Sequence, residues 1–118
     1  MSGAHMTDDC VFCSIVAGKV RADVVVSTDR VVAFRDIAPQ APVHVIVVPR
    51  EHHTDVAALA AVDPTTLGEL VEVANEVAER EADGEYRLVF NTGPDAGQSV
   101  FHAHGHVLAG RRMGWPPG

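Results

Sequence analysis

Three histidines at alternate positions, His102, His104 and His106, constrain this chain more than any other feature. Side chains in an extended strand repeat every two residues, so a strand through Ser99 to Leu108 sets all three imidazoles on one face, roughly 6.6 Å from one to the next. An imidazole serves as nucleophile, acid, base or metal ligand near neutral pH, and three in register pack poorly as ordinary core. The stretch therefore reads as a site carried on a strand.

The rest of the chain supplies a sheet for that strand. Asp9 to Ala17 begins with a capping residue, places Phe12, Ile15 and Val16 at helical spacing and stops at Gly18, which predicts a short helix. Val24-Val25-Val26 and Val31-Val32-Ala33-Phe34 are strand-forming runs joined by the polar connection 27–30, a hairpin. Asp36 to Pro42 is a loop, since Pro39 and Pro42 cannot donate to a ladder. His44 to Val48 is apolar almost throughout and ends at Pro49, as a central strand covered on both faces would. Asp63-Pro64 opens a long helix with Leu67, Leu70, Val71, Ala74, Val77 and Ala78 on one face and glutamates on the other. After the Asp83-Gly84 turn, Tyr86 to Asn91 reads as a strand, and the glycine-bearing loop 92–98 leads into the histidines. The segment 109–118 cannot continue a strand or helix. It carries the only tryptophan, Trp115, whose apolar surface calls for a docking partner. Hairpins with one helical crossover point to an α+β, antiparallel sheet.

Composition narrows the function. The 118 residues make one domain, assigned to 8–118, and 1–7 is read as a disordered or appended extension outside the functional argument. Nine basic against sixteen acidic residues give a net charge of -7, which repels a nucleic-acid backbone, and no apolar run approaches bilayer length. Two cysteines, Cys10 and Cys13, are too few and too close for a secreted disulfide scaffold, so a reducing, cytoplasmic setting is expected. Their spacing suits two thiolate ligands, two free thiols or a redox pair. The histidine row could also hold a catalytic transition metal, against which stands the lack of an acidic residue beside it in sequence.

The run His102-Ala103-His104-Gly105-His106-Val107-Leu108 resembles the signature of the histidine-triad (HIT) family. Gln98-Ser99 before it and the Trp115-Pro116-Pro117-Gly118 ending resemble the Hint-like, nucleotide-binding branch. Phe34-Arg35-Asp36-Ile37 and Pro42-Val43-His44 extend the likeness, which covers Cys10 to Gly118. Ala103 and Gly105 depart from it, being smaller than the bulky apolar residues usual there. The resemblance implies a five-stranded antiparallel sheet with one long helix and a short N-terminal one, dimerising into ten strands. It implies a hydrolase or transferase that cleaves purine nucleoside 5′-phosphoramidates or related conjugates, such as aminoacyl-adenylates, to the monophosphate through a nucleotidyl-histidine. A dinucleoside polyphosphate hydrolase, or a nucleotide-binding interaction protein with incidental activity, is the alternative.

By motif position, His104 is the expected nucleophile, its other ring nitrogen held by a backbone carbonyl such as that of His102. His106 and Ser99 are expected at the phosphate and leaving group, with His102 and His44 in support. Asp36 would accept the ribose hydroxyls, while Phe12, Ile15, Phe34 and Ile37 either wall a base slot or serve as plain core. Asn91, Gly97 and Gln98 match positions near ribose and phosphate, and Trp115 one that reaches toward the partner subunit's site. Some histidine-triad proteins complete a structural zinc site, and Cys10, Cys13, His52 and His102 match its ligands, with His53 an alternative to His52. No organic cofactor is expected.

Overall fold

A central strand with no exposed residue organises the molecule. The computed structural model describes residues 9–118, so the expected 1–7 extension lies outside the described residues. In chain order the elements are α1 (Val11–Val16), β1 (Val24–Ser27), β2 (Val31–Arg35), β3 (Val43–Pro49), α2 (Val56–Val62), α3 (Pro64–Ala82), β4 (Tyr86–Val89) and β5 (Gly105–Ala109). They build a five-stranded sheet in the order β1-β2-β3-β5-β4, antiparallel at every pairing. The apolar run His44 to Val48 thus becomes β3, buried at all seven positions because each face of the sheet has its own cover.

On one face, Val31, Ala33, Val45, Val47 and Val107 pack against Leu59 of α2 and Leu70, Ala74 and Val77 of α3. Each fully buried leucine or valine there contributes about 1.5–3 kcal/mol relative to exposure. On the other face, Val32, Phe34, Ile46 and Val48 pack against Phe12 of α1. Because side chains alternate along a strand, His44 and His106 share this second, thinner-covered face with Ile46. One side of the sheet is therefore mainly core, and the other carries the site.

Caps set the helix boundaries. Asp63 closes α2 and opens α3, its carboxylate accepting from Thr66 N at 3.1 Å and Thr66 Oγ1 at 2.6 Å, with Pro64 in the first turn. Asp83, left-handed at φ 53°, ends α3. Helix α2 has no counterpart in the sequence reading; Asp55 caps it through Ala58 N at 2.9 Å, and it buries only Leu59 among its residues, too weak a periodic signal to stand out. At α1 the cap is Cys10 rather than Asp9, its Sγ accepting from Cys13 N at 3.4 Å.

The largest departure concerns the histidine row itself. The ladder between β3 and β5 begins at Val47↔Gly105, so only His106 lies in regular strand. Upstream the backbone is held elsewhere, with Ala103 N donating to His53 O at 2.6 Å, and the Pro49 carbonyl is taken by the His102 ring at 2.8 Å. Gly105 sits where a Cβ would come within 2.9 Å of Leu88 Cδ1 and 3.0 Å of Phe90 Cε1. Those two side chains fill the space that a larger residue at 105 would take. Trp115 remains 83% exposed, with the Arg87 guanidinium 6.0 Å from its ring and donating to Gly114 O at 2.8 Å, so none of the described residues buries it. Among the described residues no helix is long and apolar enough to cross a membrane.

Candidate active site and metal centre

A cleft of about 560 Å³ opens on the α1 side of the sheet, within the range of small-molecule sites. Phe12, Ile15, Phe34 and Ile46 form its apolar floor, and Asp36, Ser99, His104 and His106 bring polar groups to it. Ile37, fully exposed, and Asn91 and Gly97 line it as well. Gly97 holds φ +97°, which a side chain adopts only under strain. Phe12 and Phe34 are both core and wall: each is more than nine-tenths buried, and their rings meet edge to face at 5.5 Å. Phe12 also abuts the His104 ring at 4.9 Å. Ile46, opposite His106 in the β3–β5 register, escaped the sequence reading, which took the apolar residues of β3 as core.

Backbone partners dictate where each ring keeps its proton. His104 is 8% exposed and Nδ1 lies 2.7 Å from the His102 carbonyl, which can only accept, so Nδ1 carries the hydrogen and Nε2 keeps a lone pair. Burial pushes its pKa down, opposed by that carbonyl and by Asp36, so the ring is biased to the neutral, nucleophilic form. His44 has the opposite polarity. Gln40 N–H donates to its Nδ1 at 3.0 Å, so the neutral ring carries hydrogen on Nε2. That Nε2 lies 2.9 Å from His106 Nδ1 and 3.3 Å from Asp36 Oδ2. Accepting from His44, His106 carries its own hydrogen on Nε2 as a donor. Its pKa falls to about 4, chiefly through burial and then through His104 and His44. The cleft thus combines a lone pair at His104 with a donor at His106, their rings 5.0 Å apart.

The third histidine faces a different neighbourhood. His102 is fully buried and its Nε2–H donates to Pro49 O, leaving Nδ1 as a lone pair 3.4 Å from Cys10 Sγ and 3.5 Å from Cys13 Sγ. His52 Nδ1 lies 3.4 Å from Cys13 Sγ, and the four ligand atoms are all within 4.8 Å of one another. A tetrahedral zinc with its usual bond lengths sets sulfur and nitrogen roughly 3.5 Å apart, so this donor set fits a closed Cys2His2 centre. The carbonyl behind His102 is the usual support of a metal-ligating imidazole. Burial raises the Cys10 thiol pKa and lowers that of His102 to about 4. His52, not His53, joins the cysteines; His53 is buried and its carbonyl anchors Ala103.

Asp36, His44 and His106 form a second group of ligand-type atoms within 4.8 Å. Folding therefore brings an acid beside the histidine row that sequence order does not. The second group is nonetheless a poor metal site, because the Gln40 amide proton occupies His44 Nδ1 and forces hydrogen onto the nitrogen that would have to ligate.

Gln98 is placed apart from the cleft in role. Its side chain is spent on the loop, with Oε1 accepting from Gly93 N at 2.9 Å and Nε2 donating to Thr54 O and Val100 O at 2.7 and 3.1 Å. Ser99 is exposed at the cleft, and Trp115 is not among the residues that line it.

With this geometry in view, likeness to known proteins is informative. The HIT domain family model matches residues 17–113. A HIT family hydrolase from Legionella pneumophila is 41% identical and superposes with a TM-score of 0.88, over 93% of this chain and 100% of that one. A HIT-like protein of Synechococcus elongatus is 42% identical over 114 residues, 96% of this chain and 100% of its own. A 14 kDa zinc-binding protein from Brassica juncea is 38% identical over 123 residues, 93% of this chain and 100% of its own.

Proposed function

Because this chain belongs to the HIT family, we propose that it is a nucleotidyl hydrolase that cleaves purine nucleoside 5′-phosphoramidates and related conjugates, aminoacyl-adenylates among them, to the monophosphate. The observation that carries the reading is the opposed polarity of His104 and His106 in one cleft, a lone pair beside a donor. His104 Nε2 attacks the α-phosphorus, and the bond from phosphorus to the leaving nitrogen breaks. The departing amine takes a proton from Ser99 Oγ, while His106 Nε2–H hydrogen-bonds a phosphoryl oxygen. His104 then holds the nucleotidyl group as a cationic adduct, its Nδ1–H still on the His102 carbonyl. Water attacks phosphorus, its proton restores the spent donor, and the phosphorus–nitrogen bond to His104 breaks. Donors around the phosphate stabilise the added charge. Asp36 accepts the ribose hydroxyls, and Phe12, Ile15, Phe34 and Ile37 flank the base.

A structural zinc on Cys10, Cys13, His52 and His102 belongs to the same reading, supported by the donor distances and by the name of the Brassica relative. It would supply a fold-stabilising crosslink rather than a reacting group, since four protein ligands leave no open position. Support for a homodimer comes from β4, an edge strand, and from the exposed Trp115 next to it through Arg87. Two thiol ligands suit the reducing cytoplasm.

His104→Ala with adenosine 5′-phosphoramidate as substrate tests the proposal. Turnover is expected to fall by about 10⁴-fold or more, and a slow substrate should leave a trappable adduct on the wild-type ring. Undiminished turnover would refute it.

A further inference from the structure

His44 has one proton to give and two acceptors to give it to. Its Nδ1 is locked by the Gln40 amide, and its Nε2–H faces His106 Nδ1 at 2.9 Å and Asp36 Oδ2 at 3.3 Å. His44 is buried, with a side chain only 5% exposed, so water does not arbitrate between them. The carboxylate is held in place from its other side, Oδ1 accepting from Ala38 N at 2.7 Å, so it cannot swing away from the ring. A charged acceptor draws a shared hydrogen more strongly than a neutral one at equal length, which lets Asp36 compete despite the longer distance. Asp36 also lines the cleft, where a sugar hydroxyl can reach it.

We propose that Asp36 is a positioning residue that couples sugar recognition to the tautomer of His106: hydroxyls donated to Asp36 leave the His44 Nε2–H to hydrogen-bond His106 Nδ1 and hold that ring in its Nε2–H donor form at the cleft. The inference rests on the proposed nucleotidyl hydrolysis and specifies how that site selects a ribose. When two sugar hydroxyls donate to Asp36, its charge is already hydrogen-bonded and its pull on His44 weakens. His44 then donates to His106, whose remaining hydrogen must sit on Nε2. With a sugar lacking those hydroxyls, Asp36 keeps part of the His44 proton and His106 loses the donor that fixes its form. Sugar identity is therefore read in the chemical step as well as in binding.

The test compares adenosine 5′-phosphoramidate with its 2′,3′-dideoxy counterpart. In wild-type protein the dideoxy substrate is expected to show a kcat about tenfold lower, the scale of one charge-assisted hydrogen bond. In Asp36→Asn the two substrates should share one kcat to within about twofold, leaving any difference in KM. A second readout needs no turnover: ¹⁵N chemical shifts of the His106 ring should show a protonated Nε2 and an accepting Nδ1 with AMP bound, and a mixed state with 2′,3′-dideoxy-AMP. A dideoxy substrate that changes KM alone, a kcat difference that persists in Asp36→Asn, or identical His106 nitrogen shifts with the two monophosphates each overturns the inference. Failure to hydrolyse either substrate would sink the proposed function instead, and the nitrogen shifts would still decide this point.

Discussion

His102 and His106 stand four residues apart, and burial brings both to a pKa of about 4, yet they present opposite chemistry. Behind His102 stands a carbonyl, that of Pro49, so the ring turns a lone pair toward two sulfur atoms. Behind His106 stands an N–H, that of His44, itself set by the Gln40 amide, so the ring is left with a donor for an anion. Residue type and even the pKa direction do not distinguish the two. What distinguishes them is whether the nearest backbone group in the chain of partners accepts or donates. The same rule sorts the two ligand-type clusters into one whose donors fit a metal and one arranged around a shared hydrogen.

The most forceful way to break this contrast is to remove a buried sulfur. Cys13→Ala should abolish stoichiometric zinc and lower the melting temperature by ~10 °C or more, because metal affinity in such a centre is folding free energy. His44→Ala should leave zinc content unchanged. Metal analysis and thermal melts of both variants check this, and equal zinc loss in the two would erase the distinction. Next in size, His106→Ala should reduce kcat on a phosphoramidate by about 10²–10³-fold at unaltered zinc content, measured by steady-state kinetics.

A smaller effect separates the clusters by pH. The folded pKa of His106 is about 4, against roughly 6.5 in an unfolded chain. Between those values the unfolded chain binds more protons, so this contribution to stability is whole above pH 6.5 and is lost as pH falls toward 4. Subtracting the His106→Asn stability profile from that of wild type, by denaturant titration, should reveal a slope confined to that window. A difference independent of pH would mean that His106 is not held neutral by the fold. Smallest of all, Gly105→Ala should cost about 1–2 kcal/mol by pressing on Leu88 and Phe90. Phe90→Leu in the same chain should recover part of that cost, and zinc content should not respond.

How far the sequence reaches can be seen residue by residue. The long helix was legible from Asp63-Pro64 and its apolar stripe, and β3 from its unbroken run, because caps and periodicity are local. Phe12 and Phe34 were readable as apolar but not as floor or core, since that depends on an opening over the sheet. Whether His52 or His53 faces the cysteines was beyond reach, because neighbours on an irregular segment have no fixed period. Gln98 matches a position near ribose and phosphate, and that its side chain also braces its own loop depends on where Thr54 O comes to lie. Helix α2 was missed because an alanine-rich stretch that buries one leucine carries almost no pattern.

The alternating histidines, the paired cysteines and the order of the strands, the short first helix and the long helix were settled by the chain alone, since each is a matter of spacing between near neighbours. The division of the histidine row was settled only in three dimensions. It depends on Pro49 O, Gln40 N and Asp36, groups 53, 66 and 70 residues from the rings they govern. A ring's proton follows its nearest backbone partner, and no linear pattern records which partner a fold will bring.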